Sequence, residues 1–388
     1  MRELRFGLIG GGLMGREFAS AAARWIQLVH LDVRPRIVAV CDTSPDVLAW
    51  YRRVEPAPRL YADYRELLAD PEVEAVYTAV PHRLHEEIDV ACLQAGKHLL
   101  GEKPFGIDLA ANEAITNAIR PGQLVRCSSE FPFFPGGQEV WRWISERRYG
   151  RVIEVRSQFL HSSDLDPVKP INWKRIASWN GEYGCMGDLG LHALHLPLRA
   201  GWTPRNVRAI LSDIVTERPD QDGTLVACDT WDNAVLLCEV EDAGHTFPMR
   251  IEAKRIAPGE TNTWTIEVDG TESSIAYTTK YPKSLRRLDY SAGGAQEWRT
   301  LDLGSQSAYP TITGAIFEFG FSDAILQMWA AYVDELANGR EHMRQPFYCA
   351  TPEEVHTTHR LFTAALESQR ERAVVELTGV AAGRLSGG

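Results

Sequence analysis

A short apolar strand, a glycine-rich turn and an alanine-rich helix follow one another at the start of the chain. Residues 4–9, Leu-Arg-Phe-Gly-Leu-Ile, have the composition of a strand buried in a parallel sheet. The turn Gly10-x-Gly12-x-x-Gly15 follows directly, and residues 16–29 then carry apolar side chains on roughly one helical face. Strand, turn and helix come in the order that a dinucleotide site requires. The alternative is a plain strand-to-helix turn.

Each glycine of this turn has its own physical role in such a site. Gly10 permits the tight turn, Gly12 lets the backbone approach a pyrophosphate, and Gly15 lets the helix pack closely on the strand. The pyrophosphate would bind at the helix N-terminus, where free N–H groups and the macrodipole favour negative charge. The residues predicted to contact the cofactor here are Gly10, Gly12, Leu13, Met14 and Gly15.

A carboxylate ends the second apolar run. Residues 37–42, Ile-Val-Ala-Val-Cys-Asp, predict a buried strand that finishes at Asp42. An acidic residue there can accept hydrogen bonds from the ribose hydroxyls and would repel a 2′-phosphate, so we expect NAD, with NADP disfavoured. Asp42 lies 27 residues after Gly15, more than the usual spacing of about 20, and a loop at 30–36 takes up the difference. Asp42 also fits a helix-capping role before Thr43, and the two roles can coexist.

Composition and charge bound the remaining possibilities. The 388 residues are 44% apolar and 24% charged, which fits a globular protein with two domains. The net charge of −11 argues against nucleic acid or an anionic membrane as the partner. Seven scattered cysteines, a first strand that begins by residue 4 and the lack of any apolar run near 20 residues predict a reduced, cytoplasmic protein without a signal peptide or membrane span.

Strands and helices alternate up to about residue 125. Beyond the elements above, strands are predicted at 74–80, 97–101 and 123–128, and helices at 46–53, 63–69, 85–95 and 108–119. This alternation predicts an α/β fold with a doubly wound parallel sheet, a Rossmann domain that covers residues 1–125. Ligands of such sheets bind beyond the C-terminal ends of the strands. That edge would gather the glycine turn, Asp42, Pro81-His82 and Glu102-Lys103-Pro104.

Strands dominate the second part of the chain, residues 126–388. After a helix at 135–148, they are predicted at 151–160, 206–215, 230–240, 246–255, 262–269, 273–278 and 284–290. Several alternate polar and apolar residues, which is typical of an antiparallel sheet with one wetter face. We therefore expect an α+β domain with a large, mostly antiparallel open sheet. Helices are predicted at 322–337 and 352–370, the second packing back on the first domain, and residues 379–388 are expected to fray.

The stretch 184–195 combines glycines with three ionisable side chains. On a helix Asp188, His192 and His195 are four and three residues apart, so they share a face. An Asp beside a His can orient the imidazole and stabilise its cation, which makes it a proton acceptor near neutral pH. A structural histidine pair, core packing of His195 and a metal site are the alternatives. No metal is expected.

Four motifs together resemble one family of oxidoreductases. They are Gly10-x-Gly12-x-x-Gly15, Val80-Pro81-His82-x-x-His85, Glu102-Lys103-Pro104 and Gly187-Asp188-x-Gly190-x-His192. Their order is similar to that of the glucose–fructose oxidoreductase/inositol dehydrogenase/MocA (Gfo/Idh/MocA) family, and the resemblance covers essentially the whole chain. It implies a nicotinamide-binding Rossmann domain, an α/β domain with a large sheet, and an active site in the cleft between them. It also implies homodimers or homotetramers formed through the open sheet face.

The resemblance also implies roles for individual residues. Lys103 resembles the catalytic lysine, for which a surface ion pair with Glu102 is the alternative, and Asp188 with His192 resembles the acid–base pair. The further residues expected to contact the cofactor are Pro81, His82, His85, Glu102 and Lys103. Those expected to contact substrate are Lys103, Phe133, Trp173, Lys174, Asp188 and His192. Two departures from the family pattern are His82, where asparagine is usual, and the aromatic run 130–135, where arginines are common.

The implied activity is the NAD-dependent oxidation of a secondary hydroxyl. His192 would take the hydroxyl proton, oriented by Asp188, while Lys103 stabilises the developing alkoxide. The aromatic run disfavours anionic substrates, so we expect a neutral sugar, anhydrosugar, glycoside or cyclitol. Two alternatives are a glycosidase-like enzyme that oxidises its substrate transiently and a non-catalytic NAD-binding regulator.

Overall fold

A computed structural model describes residues 1–304, 307–314 and 316–377. Within that part of the chain, six parallel strands form the N-terminal sheet in the order β3-β2-β1-β4-β5-β6. Their bounds are β1 Arg2–Ile9, β2 Val33–Cys41, β3 Arg59–Tyr61, β4 Ala75–Thr78, β5 His98–Gly101 and β6 Val125–Cys127. The predicted doubly wound parallel sheet is confirmed. The predicted frayed tail at 379–388 lies outside the described residues.

Because the strands are parallel, the chain must cross back after each strand to the edge where the next one begins. Helices make most of these crossings and cover the sheet. They are α1 Leu13–Ala23, α2 Pro45–Trp50, α3 Tyr64–Ala69, α4 His85–Gln94 and α5 Leu109–Asn117. Side chains start several of them: Ser44 accepts from the N–H of Val47 before α2, and Asp108 accepts from the N–H of Ala111 before α5. The connections leave the C-terminal ends of β1, β2, β4 and β5 side by side, where the predicted cofactor residues lie.

The C-terminal sheet is mixed and mostly antiparallel, as predicted. Its described strands run in the order β16-β15-β14-β13-β7-β12-β11-β8-β17, and only β7 and β12 pair in parallel. Their bounds are β7 Val152–Leu160, β8 Asn206–Ser212, β11 Asn233–Asp242, β12 His245–Lys254, β13 Thr263–Gly270, β14 Ser273–Thr278, β15 Ser284–Asp289, β16 Arg299–Asp302 and β17 Val375–Glu376. A separate hairpin consists of β9 Glu217–Pro219 and β10 Leu225–Ala227.

One face of this sheet is covered by helices α6 Pro135–Ser145, α8 Cys185–Arg199 and α10 Pro352–Glu371. The short helix α7 Ala177–Asn180 precedes α8. Buried aromatic residues such as Trp143, Trp202 and Trp264 fill the layer between helices and sheet. Helix α8 is buried along its whole length, and it carries the Asp188–His195 segment to the boundary with the N-terminal sheet.

Two late helices join the halves of the molecule. Helix α9, Phe321–Asn338, packs on the N-terminal sheet, where Trp329 stacks on Phe18 with ring centroids 3.6 Å apart. Helix α10 contacts α5, and the His356 ring lies 3.1 Å from the Asn112 side-chain oxygen. None of the described helices is both long and apolar enough to cross a membrane.

Candidate active site

A cleft of about 1240 Å³ runs from the glycine turn to the face of α8. Its cofactor end is lined by Gly10, Gly12, Leu13, Met14, Asp42 and Pro81. Its other end is lined by Lys103, Phe131, Trp173, Lys174, Asp188 and His192. The structure thus brings together in one cleft most of the residues predicted from sequence.

The glycine turn leaves room for a ligand at one glycine and none at the other two. A Cβ atom at Gly10 would lie 2.2 Å from the carbonyl oxygen of Ala79, and the residue has φ +92°. At Gly15 it would lie 2.5 Å from the carbonyl oxygen of Gly10. At Gly12, the N-cap of α1, no heavy atom lies within 4 Å. This geometry fits a pyrophosphate, because it exposes the start of α1 beside an open backbone position.

Asp42 holds the shape of the turn. One carboxylate oxygen accepts from the Gly11 N–H at 2.8 Å, and the other accepts from the Ser44 N–H at 2.9 Å. Ser44, rather than Asp42, is the residue that caps α2. The carboxylate remains only partly buried and lines the cleft, where a ribose could reach it.

The two histidines after Pro81 differ in what they face. His82 lines the cleft, and its Nδ1 lies 2.9 Å from the Asn180 carbonyl oxygen. His85 lies outside the cleft lining: its Nε2 is 3.0 Å from the Val80 carbonyl oxygen, and its Nδ1 accepts from the Gly106 N–H. Burial lowers the pKa of His85 to about 4. Both of its ring nitrogens bind backbone, so the expected cofactor contact of His85 is replaced by support of two loops.

Asp188 lies at the centre of the end of the cleft that is opposite the glycine turn. Its Oδ1 accepts from Lys103 Nζ at 2.7 Å and from Lys174 Nζ at 2.9 Å, and its Oδ2 binds Arg255. Lys103 also donates to the Asp188 carbonyl oxygen at 2.6 Å. Glu102, beside Lys103 in the chain, turns away and accepts from the Tyr77 hydroxyl at 2.5 Å. Lys103 is therefore held inside the cleft rather than in a surface ion pair.

These contacts set the charges of the site. Burial opposes the charge of Lys103, but Asp188 and Glu102 outweigh it and raise the pKa of Lys103. Burial alone would raise the pKa of Asp188, yet Lys103, Lys174 and Arg255 hold it well below its usual value. Burial lowers the pKa of Lys174 to about 8, although Asp188 opposes the shift. Lys103 and Asp188 are thus a charged pair at neutral pH.

His192 lies one helical turn from Asp188, but the expected hydrogen bond between them is not formed among the described residues. The imidazole packs instead against Phe131 and Phe159, with both centroid distances 4.8 Å. Its Nδ1 is buried without a partner in the described structure. Burial and the charge of Lys103 lower the pKa of His192 well below its usual value, so the ring is neutral. The reason for the difference is that three cations already occupy the Asp188 carboxylate.

Phe133, predicted to contact substrate, is instead fully buried against Phe347 with ring centroids 5.2 Å apart. Residues 131–133 form a 3₁₀ turn, which directs Phe131 into the cleft and Phe133 into the core under α9. Phe133 therefore does not line the cleft, which contradicts its expected place there, and Phe131 lines it instead. Trp173 lines the cleft as expected, with its ring 4.9 Å from that of His82.

Sequence reasoning missed Arg255 and Glu130 as cleft residues. Arg255 binds both Asp188 and Asp164 from the end of β12, a contact across 67 residues that no local pattern indicates. Glu130 lies in the cleft near Glu102, and burial, reinforced by Glu102, raises its pKa to about 8. The sequence feature that could have indicated Glu130 is its position as the first residue, and the one charged residue, of the aromatic run 130–135.

The described residues contain no group of three or more His, Cys, Asp or Glu side chains arranged to hold a metal ion. All seven cysteines of the sequence fall within the described residues, where they are free, buried thiols.

The Rossmann sheet, the glycine turn and the charged cleft define an NAD-dependent oxidoreductase. Comparison with known families agrees: residues 4–128 match the family described as "Oxidoreductase family, NAD-binding Rossmann fold", and residues 138–276 match the "GFO/IDH/MocA C-terminal domain". The chain belongs to the Gfo/Idh/MocA family. The predicted family, enzyme class and NAD cofactor are confirmed.

Individual relatives are more distant. Levoglucosan dehydrogenase of Pseudarthrobacter phenanthrenivorans is 29% identical over 289 residues, which are 71% of this chain and 74% of that protein. Trans-1,2-dihydrobenzene-1,2-diol dehydrogenase of Mus musculus is 27% identical over 192 residues, about half of either chain (49% and 54%).

Solved structures share the fold over nearly the whole chain. Levoglucosan dehydrogenase in complex with NADH and levoglucosan has a TM-score of 0.85 at 24% identity, with 97% of this chain and 100% of that chain covered. An NAD binding oxidoreductase from Klebsiella pneumoniae has a TM-score of 0.84 at 25% identity, with 98% and 100% covered.

Proposed function

We propose that this enzyme oxidises a secondary hydroxyl of a neutral sugar, anhydrosugar, glycoside or cyclitol. The observation that carries the proposal is the Lys103–Asp188 ion pair, with Nζ and Oδ1 2.7 Å apart, in the same cleft as the glycine turn. The similarity to an enzyme named for levoglucosan, an anhydrosugar, supports the same substrate class.

The charges of the cleft favour a neutral substrate. The lysines and arginines that line it are Arg65, Lys103, Lys169, Lys174 and Arg255. Within the described residues each already has a carboxylate partner, on Asp63 or Glu87 for Arg65, Asp164 for Lys169, and Asp188 for the other three. A phosphate or carboxylate on the substrate would have to compete with these pairs. Hydroxyl groups need no such exchange.

The residues divide the chemistry between them. When bound, NAD supplies the hydride acceptor. Lys103 stays charged and donates to the substrate oxygen, which lowers the pKa of the hydroxyl and stabilises the alkoxide. Asp188 positions Lys103, and neutral His192 accepts the hydroxyl proton. Asp188 thus acts on the lysine, whereas the sequence alone had assigned it to the histidine.

A substrate panel tests the proposal. Neutral sugars, anhydrosugars, methyl glycosides and cyclitols are assayed with NAD beside their phosphates and uronates, by the absorbance of NADH. We expect NADH from at least one neutral compound and none from its anionic analogue. Activity confined to the anionic set would overturn the substrate class. Release of free sugar from a glycoside without net NADH would instead indicate the transient-oxidation mechanism.

A further inference from the structure

A second, smaller cavity opens beside the catalytic end of the cleft. It measures about 230 Å³, and three residues line both spaces: Phe131, Asn262 and Phe321. At about 30 Å³ for each water of the liquid, it has room for roughly eight waters, which one ring with its hydroxyls would replace. This space is called the side pocket below.

A row of aromatic rings leads from the catalytic histidine into the side pocket. The His192 and Phe131 centroids are 4.8 Å apart, and the Phe131 and Phe134 rings lie parallel at 6.0 Å. Phe319 follows, 5.2 Å from Phe134. Phe319 and Phe321 are only half-buried, so their rings are available to a ligand. Aromatic walls of this kind suit the apolar faces of a sugar or phenyl ring.

Unengaged polar groups stand at the junction. Asn262 lies between the two cavities in the left-handed region, with φ +57°, a conformation that asparagine tolerates. Asn262 is half-buried and Thr261 is exposed, and within the described part of the chain neither side chain hydrogen-bonds another protein group, so both are open to a ligand or solvent. Lys280, by contrast, is the one lysine or arginine among the described residues that line the pocket, and it is bound to Glu260 at 2.7 Å rather than free for an anionic group.

We infer that the side pocket binds the aglycone of a glycoside, either a second sugar ring or an aryl group, while the oxidised sugar lies against Lys103 and His192. The inference rests on the proposed function and narrows it. Among the neutral compounds considered above, a glycoside alone places a second group beyond the ring being oxidised. The rings of Phe134 and Phe319 would pack on that group, and Asn262 would bind a hydroxyl or the bridging oxygen.

The first test compares three forms of whichever neutral sugar yields NADH: the free sugar, its methyl glycoside and its phenyl glycoside. We expect kcat/KM to be about tenfold higher for the phenyl glycoside than for the methyl glycoside, mainly through KM. Equal values for all three would overturn the side pocket and leave the proposed function standing. NADH from no neutral sugar or glycoside would overturn both.

Two variants then locate the effect. Phe319 lines only the side pocket, so Phe319→Ala should lower kcat/KM for the phenyl glycoside about fivefold to tenfold, with less than a twofold change for the free sugar. Asn262 lines both spaces, so Asn262→Ala should lower kcat/KM for both substrates, but more for the phenyl glycoside. Tyr281→Ala is the matched control, since Tyr281 is 66% exposed close by and does not line the pocket. Equal losses on both substrates, or a glycoside-specific loss in Tyr281→Ala, would contradict the inference.

Discussion

Lys103 is held by two acceptors of the same residue, the carboxylate and the carbonyl oxygen of Asp188. Lys103→Met keeps most of the length of the side chain and removes its charge. We expect kcat to fall about 100-fold or more, because the alkoxide loses its counter-charge in a water-poor cleft. The Kd for NADH, measured by fluorescence titration, should stay within about threefold. A kcat close to that of the wild type at an unchanged thermal transition would refute the catalytic role.

The two histidines of α8 provide a matched pair. His192 faces the cleft, whereas His195 is fully buried between Phe347 and Arg199. His192→Ala should therefore lose most of kcat per folded molecule, since it removes the proposed proton acceptor, in addition to any fall in Tm from the space left between Phe131 and Phe159. His195→Ala should lower Tm, because it leaves a cavity, and should keep kcat per folded molecule. The reverse pattern would exchange the two roles.

Asp89, on α4, is a buried carboxyl that makes stability depend on pH. Burial raises its pKa to about 7, against an opposing contribution from Thr78. In the unfolded chain the pKa of an aspartate is about 3.9, so between pH 4 and pH 7 the folded state holds this proton more tightly than the unfolded chain does. The free energy of unfolding therefore falls as the pH rises from about 4 to 7. Asp89→Asn removes this loss, and we expect the gain in unfolding free energy to be about 3 kcal/mol larger at pH 8 than at pH 5.

Asp70→Asn is the control for that measurement. Asp70 is also buried, but the Glu72 N–H and Arg59 overcome the effect of burial and lower its pKa. Its ionisation therefore lies below pH 5, and its substitution should change the unfolding free energy equally at both pH values. Urea unfolding followed by circular dichroism supplies the numbers. A pH-independent effect of Asp89→Asn would contradict the assignment.

At the scale of elements, the turn after β1 and the end of β2 act as one unit, because Asp42 bonds the backbone of both segments. Asp42→Ala should narrow the preference for NAD over NADP by about tenfold, as the ribose loses a charged acceptor and a 2′-phosphate meets less repulsion. Asp46→Ala, an exposed carboxylate in the first turn of α2, should leave the ratio of the two kcat/KM values unchanged. Equal or better use of NADP by the wild type would contradict the role of Asp42.

Elements whose apolar residues recur at a regular spacing, or form a short continuous run, were predictable from the sequence. Those defined by contacts between residues far apart in the sequence were not. The strands expected at 151–160 and 273–278 are observed as Val152–Leu160 and Ser273–Thr278. The first alternates buried and more exposed side chains, whereas the second is buried at five of its six positions. The hairpin of β9 and β10 was missed, since three-residue strands carry too little pattern. Nothing local indicates that Trp329 of α9 stacks on Phe18.

The same limit applies to the site. The glycine turn, Asp42 and the Lys103 and Asp188 motifs are recognisable because their chemistry depends on local spacing. The orientation of Phe133 depends on a 3₁₀ turn, and the partners of Asp188 depend on Arg255, which lies 67 residues away. Such contacts are decided by tertiary packing and therefore escape sequence reasoning.

At the scale of the whole molecule, the outward face of the C-terminal sheet has two parts. Arg156 binds Glu154, Glu267 and Asp269 across β7 and β13, so that part is charged and already paired. On β8 and β11, by contrast, Ile210 and Leu237 face away from the core, 63% and 51% exposed. Exposed apolar side chains thus lie on two neighbouring strands, in a patch of the kind that oligomers cover.

The expected homo-oligomer would use this patch. Light scattering at micromolar concentration should give a multiple of the 43.4 kDa chain mass. Leu237→Arg should shift the mass toward that of one chain, because a charge enters an apolar contact, and NADH binding should persist since no residue of β11 lines the cleft. Ile26→Arg is the matched control, because Ile26 is equally apolar and 81% exposed but follows α1 in the N-terminal half. A wild-type mass of one chain would contradict the homo-oligomer, and dissociation by Ile26→Arg with no effect of Leu237→Arg would move the interface to the Rossmann half.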